Sequence, residues 1–149
     1  MATFRQDPYR NFNFLVQIGG NDASARGHGY YEVVLPTAEI QLTEYREGND
    51  RDNTPRRLPG LSRTGNVTLR RGLNGSLELW EWFRATRNGQ IDRRDVVVQL
   101  LSEDHADVVM AWKLRGCFPV RYVSPTLSAL GRTPAIEEIE LAVESIDIE

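Results

Sequence analysis

Two histidines, one cysteine, a serine set between glycines and a run of carboxylates are the residues of this 149-residue chain that could do chemistry. His28 and His105 lie far apart, each in a segment of small or charged residues, and are expected to be solvated rather than to ligate a metal. "GLSRTG" at 60–65 places its serine outside the G-x-S-x-G spacing and shows no strand-to-helix context. Its glycine spacing, with no lysine, is not that of a phosphate-binding loop either. Cys117 is the single cysteine, so no intrachain disulfide and no cysteine metal cluster can form, and it is expected as a small core residue. "NVT" and "NGS" match glycosylation acceptors, a pattern with meaning only on a secretory route. The carboxylates of "AIEEIELAVESIDIE" alternate with apolar residues, which marks a solvated strand face before it marks an acid–base pair. The expectation is no enzyme: no catalytic residues, no cofactor and no metal.

Binding chemistry is the remaining possibility. The net charge of −3 gives no overall pull toward nucleic acid or an anionic membrane. Of 18 basic residues only Lys113 is a lysine. Arginine suits bidentate pairing at interfaces, although base composition of the genome would give the same bias. "TPRRLPG" and "IDRRD" pair arginines but keep acids close by. Between Glu44 and Arg63, five arginines meet four acids, a net charge of only +1. A phosphate-binding surface would be more one-sided, because its affinity comes from counterion release. Balanced charge fits protein–protein contact. "MATFRQDPYRN" lacks a signal-peptide core and no apolar run is of membrane-spanning length, so a soluble chain without a membrane anchor is expected.

The elements that must position these residues are mostly strands. "FNFLVQI" puts Phe12, Phe14, Val16 and Ile18 on one face and Asn13 and Gln17 on the other. "GGNDASARGHG" reads as a loop. After "YYEVVLP", the stretch "AEIQLTEY" alternates Ala38, Ile40 and Leu42 with Glu39, Gln41 and Thr43. A long inter-strand loop at about 44–63 follows, and "NVTLRR" resumes with Val67 and Leu69 inward. "NGSLELWEWFRATRNG" predicts one helix, with Asn74 or Ser76 as N-cap and Gly89 as the stop. Its core stripe is expected at Leu79, Trp80 and Phe83; Trp82 lies off that stripe, either half-exposed or set against another subunit. "DVVVQLL" and "VVMAWKLR" flank "SEDHAD" as a hairpin. In the last segment the alternation slips before Ile139 and after Val143, as at a bulge or bend. The sum is a single domain over residues 1–149, mainly β and mostly antiparallel, with one α-helix: a β-sandwich or small barrel.

Five blocks carry a resemblance: "DPYRNFNFLV", "EYREGNDRDNTPRRLPGL", "LRRG", "LELWEWF" and "GQIDRRDVVVQLL". Together they resemble the tail tube protein of contractile-tailed phages, in the form found in phage-derived extracellular contractile injection systems. The blocks keep the family's order and span nearly the whole chain, with "YREGND…TPR.LPG" and "LWEW" the most specific. The resemblance implies a tail-tube-like fold, hexameric rings that stack into an inner tube around a channel, and a contractile sheath that drives the tube through a target envelope. It implies no enzymatic activity and no cofactor. Partners would be further copies of the chain, the sheath protein, baseplate or tube-initiator proteins, a terminal cap, and protein cargo or DNA in the channel. Assembly would take place in the cytoplasm, as part of a phage tail or injection particle. Alternatives are a phage tail tube conducting DNA, a baseplate-proximal tube initiator and, from another class, a small soluble binding domain.

On this reading the loop at about 44–63 makes ring-to-ring contacts through Glu47, Asn49, Asp50, Arg51, Arg56 and Arg57, stiffened by Pro55 and Pro59. Glu138 and Glu140 are expected to face the lumen and make it acidic. Glu78, Glu81 and Arg84 are expected on the outer face, toward the sheath.

Overall fold

Val67 and Leu69 point one way along their strand and Thr68 and Arg70 the other, and this period-two alternation organises most of the chain. The computed structural model describes Ala2, residues 4–19 and residues 29–149. The strands are β1 (Phe14–Ile18), β2 (Glu32–Val34), β3 (Ala38–Tyr45), β4 (Arg56–Thr64), β5 (Val67–Gly72), β6 (Arg94–Leu101), β7 (Val108–Val123), β8 (Ile136–Ala142) and β9 (Ser145–Ile148). One helix, α1 (Glu78–Arg87), lies between β5 and β6. Every pairing is antiparallel, and the mostly antiparallel β architecture with one helix is as expected. Seven strands form one sheet, β1-β6-β7-β8-β5-β2 with β9 also on β7, and β3 and β4 form a separate two-stranded sheet.

The 16-residue β7 belongs to two halves of that sheet. Its first part pairs with β6 and β9, and its last part pairs with β8. Two register shifts mark the change of partner, between Arg94 and Val96 on the β6 side and between Pro119 and Arg121 on the β8 side. Gly116, at φ 65°, accommodates the first, and its N–H reaches Asp95 Oδ1 at 3.1 Å. A left-handed residue at a bulge is a glycine position. Pro119, which has no N–H to give a ladder, sits at the second.

The core joins Val16, Ile18, Val67, Leu69, Val96, Val98, Leu114, Cys117, Ile139, Leu141 and Val143 with the helix residues Leu79 and Trp82. Cys117 is buried as expected, and burial pushes its thiol up to about 11. Phe12, expected to share the β1 face, precedes the strand and is exposed.

The helix corrects two expectations. Its N-cap position is Leu77, with no side-chain cap; Asn74 instead bonds the Ser76 N–H at 3.1 Å, one turn earlier. Trp82 is 2% exposed and lies in the subunit's own core, neither half-exposed nor held for another subunit. The chain returning after the helix covers it: Trp82 Nε1 donates to the Asp92 carbonyl at 2.7 Å and the Arg94 guanidinium lies over its ring. Trp80 and Phe83 are half-buried and stack with Tyr122 of β7.

The slip expected before Ile139 does not occur. Glu137 keeps the inward alternation of β8, and directly across from it stands Arg71 of β5, each only 1% exposed. Arg71 Nε is ion-paired to Glu137 Oε1, Arg71 also donates to the Ser76 carbonyl at 3.2 Å, and Tyr122 donates its hydroxyl to Glu137 Oε2 at 2.6 Å. The break after Val143 is real, since β9 begins at Ser145.

Candidate assembly surfaces

β3 and β4 follow a strand pattern yet bury nothing. Every residue of β3 is exposed, as is every residue of β4 except Thr64. The hairpin is an arm that leaves the seven-stranded sheet where Gly65 N–H bonds the Thr37 carbonyl at 2.8 Å. The segment expected as a loop at about 44–63 is therefore strand from Arg56 on, and only residues 46–55 form the connection. Ile40 and Leu42, whose alternation marked this strand, are exposed on the arm. Cross-strand pairing sets Leu42 opposite Pro59, Glu44 opposite Arg57 and Tyr45 opposite Arg56. A register shift between Ile40 and Leu42 is fitted by Gly60, whose missing Cβ would lie 3.0 Å from the Gln41 carbonyl.

Of the six residues expected between rings, Glu47, Asn49, Asp50 and Arg51 lie in the arm's tip. Arg56 and Arg57 begin β4 and, as strand neighbours, point to opposite faces. The tip is organised by a residue outside that set, Arg46. It donates to the carbonyls of Asp52 at 3.0 Å and Asp50 at 3.1 Å, and to Asn53 Oδ1 at 3.3 Å. Asp50 closes the turn by accepting the Glu47 N–H at 3.2 Å. No periodicity in the sequence signals such a residue; an arginine flanked by carbonyl-rich turn residues is the only cue.

A second surface is the outward side of β2, β5 and β8. Glu138 and Glu140 both point there, away from the face of Glu137, Ile139 and Leu141. Both carboxylates have partners on neighbouring strands. Arg70 reaches Glu32 at 2.9 Å and Glu138 at 3.1 Å, and these two bonds raise its own pKa. Glu140 accepts from Asn66 at 2.8 Å and lies 3.8 Å from Arg121. Neighbouring strands alternate acid and base, with three carboxylates (Glu32, Glu138 and Glu140) to two guanidiniums (Arg70 and Arg121), so most of the acidic charge is offset and a small acidic excess remains.

Glu78, Glu81 and Arg84 are exposed on α1. Glu78 and Glu81 border a shallow cleft with Asp92, Arg94 and the edge of Trp82.

Catalytic geometry does not assemble among the described residues. His105 sits in the β6–β7 turn with φ 62°, and His28 lies outside the described residues. No group of His, Cys, Asp or Glu among the described residues is placed to hold a metal ion. A cleft of about 630 Å³ between β2 and the ends of β1, β6 and β7 is lined by Phe12, Phe14, Tyr31, Leu35, Leu100 and Trp112. Its one carboxylate, Glu32, is already paired with Arg70. No helix among the described residues is long and apolar enough to cross a membrane.

The family model for the T4-like virus tail tube protein gp19 matches residues 10–147. No curated protein sequence matches the chain. Among solved structures, the fold is similar to a chain of an extracellular contractile injection system, the PVC sheath–tube complex in its extended state. The TM-score is 0.82 at 25% identity, over 95% of this chain and 91% of that one. It is also similar to the tube-terminating cap of the anti-feeding prophage (TM-score 0.84, 23% identity, 100% and 95% covered). A more distant likeness in fold is to Hcp1 from Flavobacterium johnsoniae (TM-score 0.54, 18% identity, 91% and 93% covered).

Proposed function

Because the chain belongs to the T4-like virus tail tube protein gp19 family, we propose that it is the repeating subunit of the inner tube of a contractile injection system. Six copies close into a ring, and rings stack around a channel. The observation that carries this reading is the arm: a two-stranded hairpin with no core of its own, exposed along nearly all its length. An isolated two-stranded hairpin is marginal in water and gains stability by packing.

The remaining surfaces support the same reading. β1, β2 and β9 are sheet edges among the described strands, each paired on one side only. Open edges favour aggregation unless they are paired. Head-to-tail pairing with identical neighbours satisfies them and closes a ring. The tip residues Glu47, Asn49, Asp50 and Arg51, with Arg56 and Arg57 behind them, then serve the ring-to-ring contact. Glu138 and Glu140 line the channel as part of an ion-pair lattice with a small acidic excess, most of their charge being offset by Arg70 and Arg121. Glu78, Glu81 and Arg84 face the sheath. The protein acts as one structural domain and not as an enzyme, a reading supported by its membership of a tail tube family. It assembles in the cytoplasm with sheath, baseplate and cap proteins as partners, and the channel carries protein cargo or DNA.

Deletion of residues 48–58 tests the role of the arm. Rings that keep six copies but no longer stack are expected. Tubes of ordinary length would overturn the assignment of the arm to ring stacking.

A further inference from the structure

The loop between β7 and β8, residues 124–135, holds two of the most exposed apolar side chains among the described residues: Leu127 is 81% exposed and Leu130 is 91% exposed. They are presented on a turn, in which Gly131 N–H bonds the Ser128 carbonyl at 3.0 Å and Leu130 N–H bonds Ser128 Oγ at 3.4 Å. Arg132 is the loop's only charged residue. The Leu73 N–H bonds the Ala135 carbonyl at 2.9 Å, which ties the loop to the end of β5 and brings exposed Leu73 and Leu77 to the same end of the sheet. Scattered exposed leucines are ordinary, but four gathered at one end of a sheet concentrate apolar surface there, as interaction sites do.

Strand register decides where this patch lies relative to the arm. β5 begins beside the arm's base, at the bond between Gly65 and Thr37, and ends beside the leucine loop, at the bond between Leu73 and Ala135. The pairing of β5 with β8, Val67 with Leu141 and Gly72 with Ile136, confirms the direction. Six residues at about 3.4 Å each place the two features roughly 20 Å apart, at opposite ends of the same strands. The arm's exposure shows that it does not fold back onto the patch of its own chain. Two copies aligned head to tail along β5 bring the arm of one to the patch of the next. The match is chemical as well as geometric. The arm face carrying Ile40, Leu42 and Pro59 has its charges, Glu44 and Arg57, only at the tip, and the loop has one charge. Neither surface desolvates a charged cluster on contact.

Resting on the proposed tube assembly, we propose that Leu127 and Leu130, with Leu73 and Leu77, are the acceptor for the apolar face of the arm, through Ile40 and Leu42, of a second copy in the neighbouring ring. Each copy donates one arm and accepts one, a heterologous contact that propagates without closing and so generates a filament along the strand direction.

The test is a cross-link. The double variant Leu42→Cys/Leu130→Cys is assembled and treated with a short bis-maleimide, with each single variant as control. All altered positions are exposed, so the fold is not at risk, and buried Cys117, its thiol pushed up to about 11, contributes little thiolate. A denaturation-resistant ladder of dimers, trimers and longer chains is expected from the double variant alone. Dimers from Leu42→Cys alone would show arm meeting arm and overturn the proposal. Tubes of normal appearance without a ladder would overturn the acceptor and leave the tube assignment standing. A chain that forms neither rings nor tubes would overturn both. In parallel, Leu127→Asp/Leu130→Asp is expected to give rings that do not stack, and full-length tubes from it would contradict the acceptor role.

Discussion

Replacing Glu137 by leucine removes one half of an ion pair that is buried between β5 and β8. Both side chains are 1% exposed, so water cannot take the place of the lost carboxylate at Arg71. Breaking such a pair from one side costs about 3–5 kcal/mol, because the buried charge that remains loses its counter-charge. The Tyr122 hydroxyl also loses its acceptor, worth about 1 kcal/mol. For a chain of this size each kcal/mol lowers Tm by about 2–4 °C, so a fall of roughly 8–24 °C is expected. The double variant Arg71→Met/Glu137→Leu replaces the pair with apolar side chains and is expected to regain most of the loss, to within about 2 kcal/mol of the parent. The assay is urea denaturation of the unassembled protein at pH 7, followed by tryptophan fluorescence. If the double variant lost as much as the two single variants together, the pair would not be coupled and the reasoning would be wrong.

Trp82→Ala empties a core position and removes the ring beneath Arg94; a loss of about 3–5 kcal/mol in the same assay is expected, and a loss under 1 would contradict its burial. Gly116→Ala places a Cβ at φ 65°, against the Glu144 side chain, and is expected to cost at least about 1–2 kcal/mol by denaturation, with ring assembly weakened in proportion. Burial pushes the hydroxyls of Tyr30 and Tyr122 up to about 12, and the hydrogen bond to Glu137 adds to the effect at Tyr122. Unfolded tyrosine titrates near 10, so this contribution is fully present below about pH 10 and is lost as pH rises toward 12. Denaturation midpoints measured from pH 8 to 12 are expected to be flat at first and then to fall, and a flat profile throughout would refute the burial. Arg46→Ala unties the arm's tip and is expected to raise amide exchange across residues 46–55 without changing the unfolding midpoint.

Strand and helix types were legible because period-two and helical patterns are local. Val67 and Leu69, Val96 and Val98, and Ile139 and Leu141 all face the core as their alternation requires. What covers a strand is not local. Ile40 and Leu42 alternate as well as any pair in the core, yet they lie on an arm whose packing surface the chain itself does not supply. Glu137 looked like a break in the pattern because its partner, Arg71, is 66 residues away and makes a charged residue suitable for an inward position. Trp82 lay off the helix stripe because the chain that covers it returns only at Asp92 and Arg94. The partners of Glu138 and Glu140 were hidden for the same reason, since Arg70 and Arg121 come from other strands. Family membership, in contrast, was readable from short blocks of sequence, which fall on β1, the arm, β5, the helix and β6.

Electron microscopy of the purified wild-type protein, with the assembly mass measured on the same sample, tests the tube assignment most directly. Six-membered rings stacked into hollow tubes are expected. A chain that stays monomeric at high concentration, even with baseplate components present, would contradict it.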